Sequence, residues 1–211
     1  MLFNIESSIQ ELSKKRKLFT SEADLQLELG WIIKEMYPSA KVRMEYCPEF
    51  KPDMHIDILV IWDGKWIPIE LKYKTKGCMK RVDGDTYILK NHSAKDVNCY
   101  LYLKDIMRIE EVREKQPAFI EGYTILITNE SSYLKKPSRP DCVYAEFSLE
   151  QGAIKHGEMF WGKHASAGTM KGCEQKIQLT GNYPIEWHTY SEVDNSASGK
   201  FYYLINTIKR I

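Results

Sequence analysis

Two apolar, β-branched runs stand on either side of Asp63-Gly64, within the stretch HIDILVIWDGKWIPIELKYK at residues 55–74. An Asp-Gly pair between such runs is among the strongest short-range signals of a two-residue β-hairpin turn. The pattern predicts paired antiparallel strands at about 54–62 and 65–74, so a sheet has to be part of the fold.

Each strand of this predicted hairpin carries an acid inside its apolar run, at Asp57 and at Glu70, and Lys72 follows two residues later. With a two-residue turn at Asp63-Gly64, Asp57 falls directly opposite Glu70. Opposed positions have Cβ atoms about 4.5–5.5 Å apart, so two carboxylates placed there repel each other. A hard divalent cation relieves that repulsion, and the intervening carbonyl of Leu71 offers it another oxygen.

An exposed hairpin face with ordinary surface charges is the alternative interpretation. It accounts for the charges but leaves the opposition of Asp57 and Glu70 unexplained, so we favour the metal site. Asp53, in the dipeptide Pro52-Asp53, is a second candidate for the acid on the first strand that would bind the cation with Glu70. In the same register Asp53 falls opposite Lys74, beyond direct reach of Glu70. We therefore predict that Asp57 is the cation-binding acid of the first strand, and we treat Asp53 as a supporting residue at the hairpin end.

The rest of the pattern predicts a mixed α/β fold. Ser21 can cap a helix that runs from Glu22 to about Tyr37 and ends before Pro38. Apolar spacing predicts a second, long helix over 94–115. We expect strands at about 41–47, 54–62, 65–74, 123–128, 143–148, 176–180, 184–190 and 201–208, and a loop over 75–93.

At 211 residues the chain is long enough for one substantial core, and we expect a single domain over 1–211. No apolar run approaches the roughly 20 residues of a membrane span. Residues 1–20 also lack the apolar region of a signal peptide, so we expect no membrane partner. Five dispersed cysteines without a C-x-x-C motif favour a reducing, cytoplasmic location over a disulfide framework.

Asp57, a short strand–turn–strand, and Glu70-Leu71-Lys72 together resemble the catalytic signature of the PD-(D/E)xK nuclease superfamily. This superfamily includes restriction endonucleases, Holliday-junction resolvases and many repair nucleases. Its core of a helix, three strands, a helix and a strand is similar to the order predicted over about 20–128. The resemblance does not reach the β-rich extension that we expect at about 140–211.

The resemblance implies a restriction-endonuclease-like α/β fold and hydrolysis of phosphodiester bonds, with DNA as the expected substrate and RNA left open. It implies Mg²⁺ or Mn²⁺ held by Asp57, Glu70 and the Leu71 carbonyl. Lys72 would orient or help to deprotonate the attacking water. Resembling enzymes that cut both strands often dimerise, which leaves a homodimer open.

Many members of the superfamily carry a further acid on the first helix. Glu22 projects toward the core side of the predicted helix, so it is our candidate, with Glu28 in reserve. The alternative is that Glu22 only interacts favourably with the helix dipole, because acids are common in first turns.

The net charge is only +1, so any nucleic acid must be held by local basic patches. One patch follows the hairpin and supplies the expected phosphate-binding residues Lys74, Lys76, Lys80 and Arg81. For a second run at 14–17, a solvated charge run is the preferred interpretation. The main alternative to a nuclease is a fold that has lost turnover and binds nucleic acid or a protein partner. The intact Asp, Glu and Lys set argues against that alternative.

Overall fold

A six-stranded mixed sheet forms the centre of the computed structural model, which describes residues 3–210. The helices are α1 (Ile5–Lys15), α2 (Glu22–Met36), α3 (Lys95–Lys115) and α4 (Ala167–Met170). The strands are β1 (Lys41–Tyr46), β2 (Ile56–Trp62), β3 (Lys65–Lys74), β4 (Cys78–Val82), β5 (Asp85–Leu89), β6 (Glu121–Thr128), β7 (Ile154–Met159), β8 (Ile177–Pro184), β9 (Trp187–Glu192) and β10 (Lys200–Lys209).

The strand order in the central sheet is β1-β2-β3-β6-β10-β9. β3 and β6 are parallel, and the other neighbours are antiparallel. A parallel pair needs a long crossover, and α3 lies within the connection between β3 and β6. Two further hairpins, β4–β5 and β7–β8, stand outside this sheet. The predicted α/β class with a mixed sheet is confirmed.

The hairpin of β2 and β3 has the predicted register. Trp62 pairs with Lys65, and the ladder continues to the pair of Ile58 and Ile69. Asp63 and Gly64 have φ of 50° and 71°, as a two-residue turn with a right-handed strand twist requires. The ladder stops one residue short of Asp57.

Helices cover both faces of the sheet. The Ser21 hydroxyl caps α2 by accepting the Asp24 N–H at 3.1 Å, as predicted. α1 and α2 pack on one face, against alternate residues of β3 that include Ile69 and Leu71. α3 packs on the other face, with residues of β6 and β10 such as Leu126. Because side chains alternate along a strand, Glu70 and Lys72 point toward α3.

Two predictions of local structure are wrong. The expected loop over 75–93 contains the hairpin of β4 and β5, which turns at Asp83-Gly84 with φ of 52° and 90°. The strand expected at 143–148 is instead a short 3-10 turn at Ala145–Phe147. The helix α1 and the strand β7 had no predicted counterpart.

The strands beyond residue 140 contribute to the central sheet. β10 pairs along its length with β6, from Tyr202–Thr128 to Lys209–Glu121, and β9 pairs with β10. β8, which precedes β9 along the chain, lies outside the central sheet and pairs antiparallel with β7. Across residues 3–210, no helix has both the length and the apolar character needed to cross a membrane.

Candidate active site

β3 continues past the point where its ladder with β2 ends, and two carboxylates take over as its partners. The last pair of the ladder is Ile58–Ile69. Beyond it, the Asp57 carboxylate accepts the Leu71 N–H at 2.6 Å. The Glu22 carboxylate, from the first turn of α2, accepts the Tyr73 N–H at 2.7 Å. The two strands therefore separate at a point where two acids are fixed by backbone hydrogen bonds.

Opposite this point, two charged residues of α3 meet the side chains of Glu70 and Lys72. Lys72 Nζ lies 2.7 Å from Asp105 Oδ2. The Arg108 guanidinium lies between two acids, with Nη2 3.2 Å from Glu70 Oε1 and Nη1 3.3 Å from Asp105 Oδ1. We call Asp57, Glu70, Lys72, Asp105 and Arg108 the charged cluster. If all five are ionised, three carboxylates face two cations, and one negative charge is in excess.

Two carboxylate oxygens of the charged cluster lack a hydrogen bond. The side chains of Glu70 and Asp105 are only 1% and 6% exposed. Among the described residues, no donor meets Glu70 Oε1 or Asp105 Oδ2 with hydrogen-bond geometry, although a cationic nitrogen lies within 3.2 Å of each. Leaving a buried charged oxygen without a hydrogen bond is unfavourable. Asp105 Oδ2 is already 2.7 Å from the Lys72 ammonium, so Glu70 Oε1, with its longer contact of 3.2 Å to Arg108, has the greater capacity to bind a further cation.

The pKa values reflect the crowding of negative charge. Burial raises the pKa of Asp57 to about 6, although the Leu71 N–H and Lys72 oppose the rise. Burial also raises the pKa of Glu70 well above its ordinary value, and repulsion from Asp105 and Asp57 adds to the effect. Burial and mutual repulsion thus oppose the simultaneous ionisation of the two acids.

Lys72 remains an ammonium in this setting. Burial alone would lower the pKa of Lys72, but Asp105, with further attraction from Glu22 and Asp57, outweighs it and raises the pKa. Lys72 Nζ also donates to the Leu71 carbonyl at 3.1 Å. A protonated Lys72 can donate hydrogen bonds and can balance negative charge, but it cannot take up a proton.

A cleft of about 550 Å³ opens beside the charged cluster, with Asp57 and Arg108 in its wall. Asp53 lines the same cleft and is exposed. A smaller pocket of about 160 Å³ lies next to Glu22 and includes Lys74 in its wall. The charged cluster is therefore buried on one side and accessible from the cleft on the other.

The structure distinguishes the two candidate acids of α2. Glu22 lies against the end of β3, where its carboxylate is also 2.9 Å from Lys74 Nζ. Glu28 forms an ion pair with Arg16 instead, as does Asp24. Of the two candidates, Glu22 is thus the acid that reaches the end of β3 beside Asp57.

The four expected phosphate-binding residues differ in availability. Lys76 and Arg81 are exposed, whereas Lys74 is paired with Glu22. The Lys80 side chain is 5% exposed, and its ammonium binds the Asp194 carboxylate at 2.8 Å. Lys80 therefore connects β4 to the segment before β10, and we leave it out of the proposed interface.

Sequence reasoning did not identify Asp105 and Arg108. A signal was present, because Asp105 stands four residues after Leu101 and four before Ile109, within a stripe expected to be apolar. An acid in such a stripe has to find a buried partner. Gln26 carried no comparable signal, and its side chain donates to the Asp57 carbonyl at 2.6 Å.

The residues present fit a divalent cation in one respect and not in another. Within residues 3–210, no three His, Cys, Asp or Glu side chains converge closely enough to hold a metal ion. The predicted set needs fewer, since Asp57 and Glu70 supply two carboxylates and Leu71 a carbonyl. Mg²⁺ is commonly held by one or two carboxylates and keeps several waters. The unbonded oxygen of Glu70 and the excess of negative charge fit such an ion.

No protein-family model matches the sequence, and no curated protein is significantly similar to it. The chemistry of the charged cluster must therefore be derived from its own residues.

Proposed function

We propose that this protein is a metal-dependent nuclease of the PD-(D/E)xK type that hydrolyses phosphodiester bonds, with DNA as its substrate. The observation that carries the proposal is the meeting of Asp57, Glu70 and Lys72 where β2 and β3 separate, beside an open cleft. The order α2, β1, β2, β3, α3, β6 also supports it, because the superfamily core has this sequence of elements once the β4–β5 hairpin, inserted between β3 and α3, is set aside.

The acids have one task in this scheme. Asp57 and Glu70 would hold Mg²⁺ or Mn²⁺, which supplies Lewis-acid polarisation of a phosphate oxygen when bound. The Asp57 carboxylate is held in place by the Leu71 N–H, and Glu70 is fixed by its burial in β3. The carboxylates of Asp57 and Glu70 are therefore positioned before any ligand binds, which lowers the entropic cost of ordering the site.

Lys72 acts as a hydrogen-bond donor. Its raised pKa favours orienting the attacking water and stabilising charge on the phosphate over removing a proton from water. Asp105, 2.7 Å from Lys72 Nζ, keeps the ammonium charged and in position. Asp105 is thus a positioning residue for Lys72.

Glu22 is also a positioning residue. Its carboxylate holds the Tyr73 N–H and the Lys74 ammonium, so it fixes the end of β3 next to Lys72. Lys76 and Arg81 lie after that end and are exposed. We assign them to flanking phosphates, where cations contribute affinity without reading the base sequence.

The test is nicking of supercoiled plasmid DNA in Mg²⁺ at millimolar concentration, with a salt titration of DNA binding in parallel. We expect the wild type to cleave and Asp57→Asn to lose at least about a hundredfold in rate, the scale of losing a preorganised electrostatic group. Asp53→Asn is the matched control, because Asp53 lines the same cleft but is exposed and lies outside the charged cluster.

The outcomes separate the candidate functions. Cleavage that needs Asp57 but not Asp53 supports the nuclease. Salt-sensitive DNA binding without cleavage indicates a nuclease-like fold that has lost turnover. If the protein neither binds nor cleaves DNA, nucleic acid is no longer the proposed substrate class.

A further inference from the structure

Arg108 contacts two of the three acids of the charged cluster. Its guanidinium lies 3.2 Å from Glu70 Oε1 and 3.3 Å from Asp105 Oδ1. It also donates to the His55 carbonyl, just before β2. Arg108 thus bridges β3, α3 and the approach to β2 with one side chain.

This bridge is incomplete as a set of hydrogen bonds. Arg108 reaches both acids, yet Glu70 Oε1 and Asp105 Oδ2 remain buried without a hydrogen bond among the described residues. Arg108 Nη1 donates to Glu70 Oε2 at 3.4 Å and Nη2 lies 3.2 Å from Glu70 Oε1, so the guanidinium faces this carboxylate, but both distances exceed the roughly 2.7–2.9 Å of a well-formed charge-assisted pair. The incomplete fit indicates that the two acids are arranged for another cation as well.

Two acids of the charged cluster share Arg108 as a partner. Arg108 sits between Glu70 and Asp105, and no three acidic, histidine or cysteine side chains of residues 3–210 converge at metal-binding distance. A planar guanidinium is wider than a bare divalent cation, so its departure would let the carboxylates approach each other.

We propose that Arg108 is a built-in counter-ion which a divalent cation displaces from Glu70 and Asp105, and that the displaced guanidinium binds a phosphate of the substrate. The cation then gains Asp105 Oδ1, the oxygen that Arg108 contacts, as a ligand in addition to Asp57 and Glu70, while Asp105 Oδ2 stays with Lys72. This inference rests on the proposed nuclease function and adds two residues to its site.

The cleft gives the displaced side chain a place to bind. Arg108 is part of the cleft wall, together with Asp57, and a quarter of its side chain is exposed. Lys104, one turn earlier on α3, lines the same cleft. Arginine suits phosphate because its planar fork can donate two hydrogen bonds at once. The exchange would thus couple cation binding to substrate binding.

The first arm of the test is calorimetric titration of Mg²⁺ and Mn²⁺ into the metal-free protein, which requires no cleavage. Because Arg108→Met removes the competing charge, we expect it to bind either ion at least about tenfold more tightly than the wild type, the equivalent of 1.4 kcal/mol. Arg113→Met is the matched control, since Arg113 is on the same helix and donates to Thr180 outside the charged cluster.

The second arm measures DNA affinity in Ca²⁺, which fills a cation site while cleavage is avoided. Arg108→Met should bind DNA several-fold more weakly than the wild type, and Arg113→Met should match the wild type. Arg108→Lys keeps the charge without the fork, and it serves if Arg108→Met does not fold by circular dichroism. We expect its DNA affinity to lie between those of the wild type and Arg108→Met.

A third readout follows Arg108 directly in the wild type. Its side-chain Nε–H resonance, assigned by its absence from Arg108→Met, should shift on addition of Mg²⁺, while that of Arg113 should not. Unchanged metal affinity in Arg108→Met, or an unmoved Arg108 resonance at saturating Mg²⁺, would overturn the exchange. If the wild type binds no Mg²⁺ at all, the nuclease proposal fails too. If it binds Mg²⁺ through Asp57 and only the Arg108 effects are missing, the nuclease proposal stands.

Discussion

Helix α3 carries two buried acids that differ in how their oxygens are used. Glu110 is 3% exposed and forms no ion pair within residues 3–210, but it accepts hydrogen bonds from the Thr180 hydroxyl at 2.7 Å, the Gly181 N–H at 2.9 Å and the Tyr183 hydroxyl at 2.6 Å. Asp105 is equally buried and has two cations nearby, yet its Oδ2 has no hydrogen bond.

The difference separates a structural acid from one that is available for chemistry. Glu110 joins α3 to β8 with a full set of neutral donors, which a stable buried carboxylate requires. Asp105 is held by Lys72 at Oδ2 and by Arg108 at Oδ1, and the 3.3 Å contact with Arg108 is the longer of the two. Burial therefore does not distinguish the two acids, whereas the hydrogen bonds to their oxygens do.

The largest expected effect is on the chemical step at Lys72. Lys72→Ala should lower the single-turnover cleavage rate by ~10²–10³ while leaving DNA binding nearly unchanged, because the ammonium acts mainly in the transition state. Lys72→Arg should fail almost as badly, since a guanidinium is too bulky for the same place. Glu110→Gln should cleave at the wild-type rate per folded molecule. If Lys72→Arg cleaves at the wild-type rate, Lys72 only contacts a phosphate and does not orient the attacking water.

A smaller effect is expected at Glu22. Glu22→Gln keeps an acceptor for the Tyr73 N–H but loses the ion pair with Lys74, so the rate should fall by about tenfold with the fold intact. Glu28→Gln, which disturbs only the pairing with Arg16, should be nearly silent. Cleavage rates would be compared under single-turnover conditions. Equal rates for Glu22→Gln and the wild type would indicate that Glu22 only interacts with the dipole of α2.

Stability should respond in opposite directions at the two kinds of acid. Glu110→Gln should lower the free energy of unfolding by roughly 2 kcal/mol, because it weakens several buried hydrogen bonds to a charged group. Asp57→Asn should raise the free energy of unfolding of the metal-free protein at pH 8 by roughly 1–3 kcal/mol, because a buried charge is removed. Denaturant unfolding curves measure both.

The pH dependence of the Asp57 effect follows from the sign of its shift. The pKa is raised from 3.8 to about 6, so the folded protein binds this proton more tightly than the unfolded chain. The resulting stabilisation is complete below pH 3.8 and is lost as the pH rises through about 6. The advantage of Asp57→Asn should therefore appear between these values and be full above pH 6. A constant difference from pH 4 to pH 8 would contradict the assignment.

The smallest effects concern the exposed cations. Lys76→Ala and Arg81→Ala should each weaken DNA binding modestly and reduce the salt dependence by about one phosphate contact. Lys80→Met should leave the salt dependence of DNA binding unchanged. It should lower the free energy of unfolding, because Lys80 binds Asp194. Fluorescence anisotropy over a range of salt concentrations distinguishes these cases.

How far the sequence predicts the molecule depends on how local each feature is. The register of β2 and β3 follows from one turn, so the meeting of Asp57, Glu70 and Lys72 could be expected from the sequence alone. The β4–β5 hairpin was missed even though Asp83-Gly84 carries the same turn signal, because its flanking runs are only five residues long and mix apolar with polar and charged residues.

The roles of Asp105, Arg108 and Lys80 depend on contacts between distant segments. Arg108 meets Glu70 across 38 residues, and Lys80 meets Asp194 across 114. No local pattern specifies which side of α3 faces β3, or which acid lies beside β4. Such pairings emerge only when the sheet brings the segments together, so three of the five residues of the charged cluster were predicted from the sequence and the two on α3 were missed.

Calorimetric titration of Mg²⁺ into the wild type, Glu70→Gln and Glu110→Gln tests the distinction between the two kinds of acid most directly. We predict binding to the wild type and to Glu110→Gln with the same stoichiometry, and loss of binding in Glu70→Gln. The absence of Mg²⁺ binding to the wild type at millimolar concentration, or undiminished binding to Glu70→Gln, would contradict a cation site in the charged cluster.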